Sequence, residues 1–269
     1  MSWLRDILGL PSGQLLRERL YALGARPHPC PIFPFGNQKA GGTAIAGLLS
    51  AATGLRATLD LAGTTAPHFG RLIRNPESLD RFVLANAWAF SAPIVKDGNL
   101  TFVAEPLMDH FGVERAIFIL RNPFDNIRSI LNRLKIPGNL NALDPKTIRA
   151  NATWRAILSG EDLGLPPDQY IATLARRWLR AIQVYERSET RFVRIRYEDF
   201  RNNKTVEIRK LAHAFNLQTP NDISHLLDHE FQRHGHPDID LRDFFGAENM
   251  ARIEEICGDA AARQGYCAP

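Results

Sequence analysis

The sequence has only three cysteines, Cys30, Cys257 and Cys267, among 269 residues. An odd, sparse count excludes a disulfide framework and points to a reducing, cytoplasmic compartment. There is no CxxC pair and no histidine spacing that makes a metal site, so no metal is expected; His225, His229, His234 and His236 read as surface or structural residues. No apolar run reaches the roughly 18 residues of a membrane-spanning helix. Low-complexity tracts and internal repeats are absent. A strong charge imbalance is also missing: the net charge is +4. The basic residues are spread along the chain without an aromatic-interleaved patch, which argues against nucleic acid. The opening MSWLRDILGLPSG is too short and too charged, at Arg5 and Asp6, for a secretory signal. Trp3, Leu4, Ile7 and Leu8 share one helical face. Residues 1–30 therefore read as a helical lead-in docked on the body, with weak membrane-surface contact as the alternative.

What is present is ordinary globular composition, 45 % apolar and 23 % charged, in a chain long enough for a full core. One domain over 1–269 is expected. Ile32 to Gly36 suggests a short strand, although Pro34 is a blemish in a central one. Residues 43–52 suggest a helix. Residues 93–105 suggest two extended runs about an Asp97-Gly98 turn. The apolar run Ala116 to Leu120 suits a strand buried on both faces, followed by a helix from Pro123 to about Leu134. Residues 137–168 are rich in glycine and proline and read as a substrate or lid loop. Residues 169–187 carry the stripe Leu174, Trp178, Ala181, Tyr185 of an amphipathic helix. A strand at Phe192 to Arg196 and helices at 205–215 and 247–264 complete the pattern. Alternating strands and helices give an α/β fold with a mainly parallel sheet flanked by helices in three layers.

Two segments carry chemistry. Gly36 to Thr43, GNQKAGGT, joins a strand to a helix and approaches the phosphate-loop pattern GxxxxGK[ST]. Gly42 stands where that pattern has its lysine, and Lys39 comes three positions earlier. A loop without the usual lysine suits a triphosphate poorly. A lysine at its front suits a donor with one 5′ phosphate and a departing group. A glycine-rich turn with an incidental lysine is the structural alternative. The second segment, Arg121 to Ser129, RNPFDNIRS, ends a buried strand and opens a helix. Arginine at a strand's C-terminal end sits where open α/β sheets bind ligands, and its guanidinium grips phosphate through two oxygens. Asp125 is placed to hold that arginine or to cap the helix. Arg74-Asn75-Pro76 lacks a preceding apolar strand and reads as a turn.

These segments resemble those of the sulfotransferases that use 3′-phosphoadenosine 5′-phosphosulfate (PAPS), with their PKSGTT-like loop and RxPxDxxxS segment. Arg196 to Phe200, RYEDF, is similar to the family's RYEDL, and Ile253 to Tyr266 to the closing helix of bacterial members. The resemblance spans residues 32–266 and implies a P-loop-like fold and sulfuryl transfer to a small-molecule acceptor. It implies that Lys39 touches the sulfate-bridging oxygen. The backbone of Ala40, Gly41, Gly42 and Thr43 would hold the 5′ phosphate. Arg121 and Ser129 would hold the 3′ phosphate, Tyr197 would lie near the adenine, and Arg233 with Gly235 would close over the 3′ phosphate. Ala44 replaces a tryptophan that stacks on adenine in some members. The general base implied between the two motifs is Glu105 first, then His110 or His68, with Asp109 less well placed. A nucleotide-dependent kinase and a non-catalytic nucleotide-binding protein are the other classes. Phe69, Leu72, Ile73, Ile136, Leu140, Trp154 and Ile157 suggest a partly apolar acceptor: a lipid, polyketide or aromatic alcohol, with a glycan as alternative.

Overall fold

A computed structural model describes residues 24–61, 64, 68–75, 78–228 and 239–267. The lead-in before residue 24 lies outside them, as do Arg233 and Gly235.

Among the described residues five short strands run parallel: β1 (Pro34–Phe35), β2 (Ala57–Leu59), β3 (Ile94–Lys96), β4 (Ala116–Leu120) and β5 (Phe192–Arg196). β1 pairs with β4, β4 with β5, and β2 with β3. A bridge between Ile32 and Ile94 joins the two groups. It is made by Ile32 N–H on the Pro93 carbonyl (2.8 Å) and Val95 N–H on the Ile32 carbonyl (3.0 Å). The spatial order is thus β2-β3-β1-β4-β5. Pro34 is central after all. In a parallel strand, residues two apart face the same neighbour, so Pro34, like Ile32, faces β3 and has no N–H to give it. The β1–β3 ladder therefore shrinks to the single bridge, while the β1–β4 side is intact.

Side chains of β4 alternate between two cores, as the pleat requires. Ala116, Phe118 and Leu120 enter one core with Phe33, Phe35 and Trp178. Ile117 and Ile119 enter the other with Ile45, Leu49 and Ile195. Each such side chain stabilises the fold by about 1.5–3 kcal/mol when fully buried. The second face is covered by α1 (Gly42–Thr53) and by later helices whose Phe200, Ile208 and Leu211 join that core. The chain then forms α2 (His68–Arg74), α3 (Leu79–Ala85), α4 (Ala87–Phe90) and, after β3, α5 (Ala104–His110). α6 (Pro123–Leu134), α7 (Ala152–Ser159) and α8 (Tyr170–Arg187) follow β4. α9 (Tyr197–Asn202), α10 (Lys204–Ala214) and α11 (Leu241–Arg263) follow β5. α11 bends at Gly246, whose φ of 72° breaks the helical run.

The sequence expectation for 93–105 fails at one residue. The Asp97 carboxylate accepts from the Asn99 N–H at 2.8 Å and bends the chain into a 3₁₀ turn, Asn99–Val103, that runs on into α5. No hairpin forms. The 137–168 stretch is also less irregular than its composition suggests, because Asn151 caps α7 within it. No helix among the described residues is long and apolar enough to cross a membrane.

Candidate active site

β1 and β4 are neighbours whose onward connections leave in opposite directions, which opens a crevice above their C-terminal ends. Both sequence motifs fall there. The loop after β1 reverses at Asn37, whose carbonyl accepts from the Ala40 N–H at 3.0 Å. Gly41 then opens α1 with φ 105° and no side-chain cap, leaving the first-turn N–H groups to face the crevice. A Cβ at Gly41 would stand 2.3 Å from the Tyr197 ring, so only glycine fits.

The loop is fastened from below. The Thr101 hydroxyl donates to the Gly36 carbonyl and accepts from its N–H, each at 2.8 Å. Asn126 of α6, fully buried, donates to the Gln38 carbonyl at 2.9 Å and accepts from Asn37 at 2.8 Å. Arg177 of α8 donates through Nε to Gln38 Oε1 at 2.9 Å, and through Nη1 to Asp162 at 2.6 Å. This buried ion pair ties the Gly36–Thr43 loop to the turn that follows α7, and removing one partner would strand the other charge.

At the end of β4, Arg121 Nη1 donates to the Lys39 carbonyl at 2.7 Å. Its guanidinium lies over the Tyr197 ring, 4.2 Å from the centroid. Its Nε is buried and makes no hydrogen bond. The two motifs therefore form one cradle. Asp125 does not hold Arg121; it pairs with Arg128 at 2.6 Å, and Asn122 caps α6 instead. Glu198 accepts from the Asn122 N–H and the Tyr266 hydroxyl, both at 2.9 Å, so the chain's last turn braces this corner.

Lys39, Ala40, Gly41, Gly42, Thr43, Arg121, Ser129 and Tyr197 all line one cavity of about 670 Å³. The same cavity holds residues the sequence did not single out. Lys96, closing β3, donates to Thr43 Oγ1 at 2.9 Å and to Asp60 Oδ1 at 2.6 Å. A Cβ at Gly42 would come within 2.9 Å of the Lys96 Cε. The glycine that replaces the usual loop lysine thus makes room for a lysine from the next strand. A charged residue closing an apolar strand, Ile94-Val95-Lys96, was the available signal.

Three of the expected bases, Glu105, His110 and Asp109, lie elsewhere. Glu105 is in the first turn of α5, because 101–104 is helical and not extended. There it accepts from Ser188 (2.5 Å) and Arg187 (3.3 Å), which precede β5 at the opposite, N-terminal edge of the sheet. His110 pairs with Asp80 at 2.8 Å, and Asp109 with Arg191 at 2.7 Å, on that same edge. His68 opens α2, but its side chain lies outside the described residues. Asp97 does reach the cavity. Burial pushes its carboxyl pKa up against its hydrogen bonds. Both its oxygens are engaged, by the Leu61 N–H, the Thr64 hydroxyl and the Asn99 N–H. It is a loop clasp.

Lys39 is held in a left-handed backbone conformation, φ 64°. Burial first, then the charges of Arg121, Arg133 and Lys96, lower its ammonium pKa to about 8, with Asp60 opposing. The ordinary value is 10.5, so between about 8 and 10.5 the unfolded chain binds the extra proton, and Lys39's contribution to stability rises with pH across that window. Anion binding needs the charged form. The kcat/KM for an anionic donor should therefore fall as pH rises through about 8, with kcat alone much flatter, since a bound anion restores the proton. A pH–rate profile checks this. Among the described residues no group of three or more His, Cys, Asp or Glu side chains comes together.

No protein-family model matches the sequence, and no curated protein sequence matches it. Solved structures do. The chain superposes on the sulfotransferase domain from the curacin biosynthetic pathway with a TM-score of 0.51, covering 90 % of this chain and 100 % of that one at 14 % identity. The fold is that of a sulfotransferase domain. A sulfotransferase from Alicyclobacillus acidocaldarius is also similar (TM-score 0.44, 18 % identity, 85 % of this chain and 96 % of that). So is STF1 from Mycobacterium tuberculosis H37Rv (0.46, 14 %, 90 % and 80 %). At such identity the likeness speaks for the sulfotransferase fold, and function has to be argued from the site.

Proposed function

We propose that the protein transfers a sulfuryl group from PAPS to a hydroxyl or amine of a small-molecule acceptor. The observation that carries this reading is the joined cradle, in which Arg121 donates to the backbone of Lys39 within one cavity. A donor with phosphate at both 5′ and 3′ positions fits it. The α1 N–H groups would take the 5′ phosphate. Arg121, Arg128 and Ser129 would take the 3′ phosphate, with Tyr197 holding the Arg121 guanidinium over its face. Lys39 would lie at the bridging oxygen and Lys96 at the sulfuryl oxygens. In a nucleoside-triphosphate loop the Ser/Thr hydroxyl binds Mg²⁺. Here the Lys96 ammonium is on that hydroxyl at 2.9 Å, which disfavours a magnesium-dependent kinase.

In the proposed step the acceptor oxygen attacks sulfur in line with the departing 5′-phosphate oxygen. The S–O bond to the bridging oxygen breaks, and its electron pair stays on the phosphate beside Lys39. Asp60, in the cavity wall at the end of β2, accepts the acceptor's proton. Like phosphoryl transfer, the step depends chiefly on positioning and charge stabilisation.

Binding tests the donor half. By calorimetry without magnesium, adenosine 3′,5′-bisphosphate should bind far more tightly than AMP or ATP. Arg121→Ala should remove roughly 2–4 kcal/mol of that binding, the usual loss for a charge-assisted contact. Equal affinity for AMP and the bisphosphate would refute the reading.

A further inference from the structure

Resting on that reading, we propose that the acceptor carries an anionic group as well as the reacting hydroxyl, and that Arg133 binds this group in the cavity that the Trp154 indole also lines.

Asp125, Ser129 and Arg133 recur every four residues along α6 and face the same cavity. The other cations of that cavity are assigned to the donor or already hold a partner. Lys96 is paired with Asp60, Arg128 with Asp125 and the Ile239 carbonyl, and Lys204 reaches the Leu227 carbonyl. Arg133 is exposed, and its guanidinium makes no hydrogen bond or ion pair among the described residues. Arg201 is comparably exposed, but α9 places it beside Tyr197 and Phe200 on the nucleoside side. Arg133 sits one helical turn beyond Ser129 on α6, so it is farther than Ser129 from the Arg121 end of that helix while still lining the cavity.

α7 brings Trp154 into the wall of the same cavity, with Ile157, three residues on, buried behind it in the core. The Trp154 indole is half-buried against the main core, which leaves its remaining surface for a flat apolar body. Asn132 and Asn151 border the same stretch of wall. In that reading the donor's phosphosulfate is matched by Lys39, Lys96 and the α1 N–H groups, and its 3′ phosphate by Arg121, Arg128 and Ser129. The charge of Arg133 is therefore surplus to the donor, and cation beside aromatic is the complement of a carboxylated or otherwise anionic aromatic or amphiphilic alcohol.

The test uses protein saturated with adenosine 3′,5′-bisphosphate and pairs of acceptor analogues differing only in charge: 4-hydroxybenzoate and its methyl ester, 3-(4-hydroxyphenyl)propionate and its ester, and tyramine as the cation. In calorimetric titrations the carboxylates should bind at least about tenfold more tightly than their esters, as one charge-assisted contact gives. Arg133→Met should abolish that preference, and Arg133→Glu should shift it toward tyramine. The bisphosphate affinity of Arg133→Met should stay within about twofold of wild type. Equal binding of acid and ester, no carboxylate binding at millimolar concentration, or an unchanged preference in Arg133→Met would overturn the proposal. A tenfold loss of bisphosphate affinity in Arg133→Met would overturn it too, because Arg133 would then belong to the donor site. Failure of the donor reading itself looks different: the wild-type protein would not bind the bisphosphate.

Discussion

Lys39→Ala should lower kcat about 10²–10³-fold while weakening bisphosphate binding far less. The Lys39 ammonium is set in the loop by the Arg121 contact to its own carbonyl and by a backbone φ of 64°. In the ground state it would meet a bridging oxygen with little charge. As the sulfuryl group leaves, that oxygen takes up negative charge, and the interaction strengthens. Only interactions stronger in the transition state raise kcat, and losing one preorganised donor at a developing oxyanion costs about 10²–10³ in rate. Single-turnover rates beside calorimetric affinities separate the two effects. A variant that loses affinity and rate in equal measure would show that Lys39 is only an anchor for the donor.

Asp60→Asn should lower kcat by about 10²–10⁴-fold, the range for removing a positioned general base. The substitution keeps the size of the side chain and its hydrogen-bonding capacity toward Lys96, so the 2.6 Å contact has a neutral successor. Donor binding should be retained or tightened, because a negative charge leaves a site built for anions. Glu105→Gln is the matched control. It touches Ser188 and Arg187 at the other edge of the sheet and should leave turnover near wild type. Steady-state turnover of the two variants with one acceptor decides between them. Loss of turnover in Glu105→Gln with none in Asp60→Asn would reverse the assignment.

The strands and helices that were legible in the sequence are those whose burial is continuous. Ala116 to Leu120 is apolar at every position because both its faces are covered, and Pro123 marks the helix that follows. That the Gly36–Thr43 loop, Arg121 and Ser129 share one cavity was legible for a different reason: they sit at fixed offsets from a strand end, so sequence spacing carries over directly into cavity position. What was not legible depends on contacts between distant segments. β2 has three residues, too few for alternation to show, so Asp60, which follows it, was passed over; β3 was read as an extended run, but only the fold brings Lys96, which closes it, to Thr43 and Asp60. Glu105 was misplaced because a single side chain, Asp97, caps a turn that replaces an extended run with helix and carries the carboxylate away from the site. Arg177 offered no signal at all. It sits in the stripe of an amphipathic helix, and only the fold brings it to Gln38 and Asp162.

Sulfuryl transfer is tested most directly by whether the wild-type protein releases sulfate from PAPS. Incubation with ³⁵S-labelled donor, without magnesium and without any acceptor, measures slow hydrolysis that needs the donor cradle and no cognate acceptor. Labelled sulfate and adenosine 3′,5′-bisphosphate should appear in equal amounts, at a rate that falls as pH rises through about 8 when donor is limiting. Release indistinguishable from buffer, by a protein that binds the bisphosphate tightly, would contradict it and leave a nucleotide-binding protein on a sulfotransferase fold.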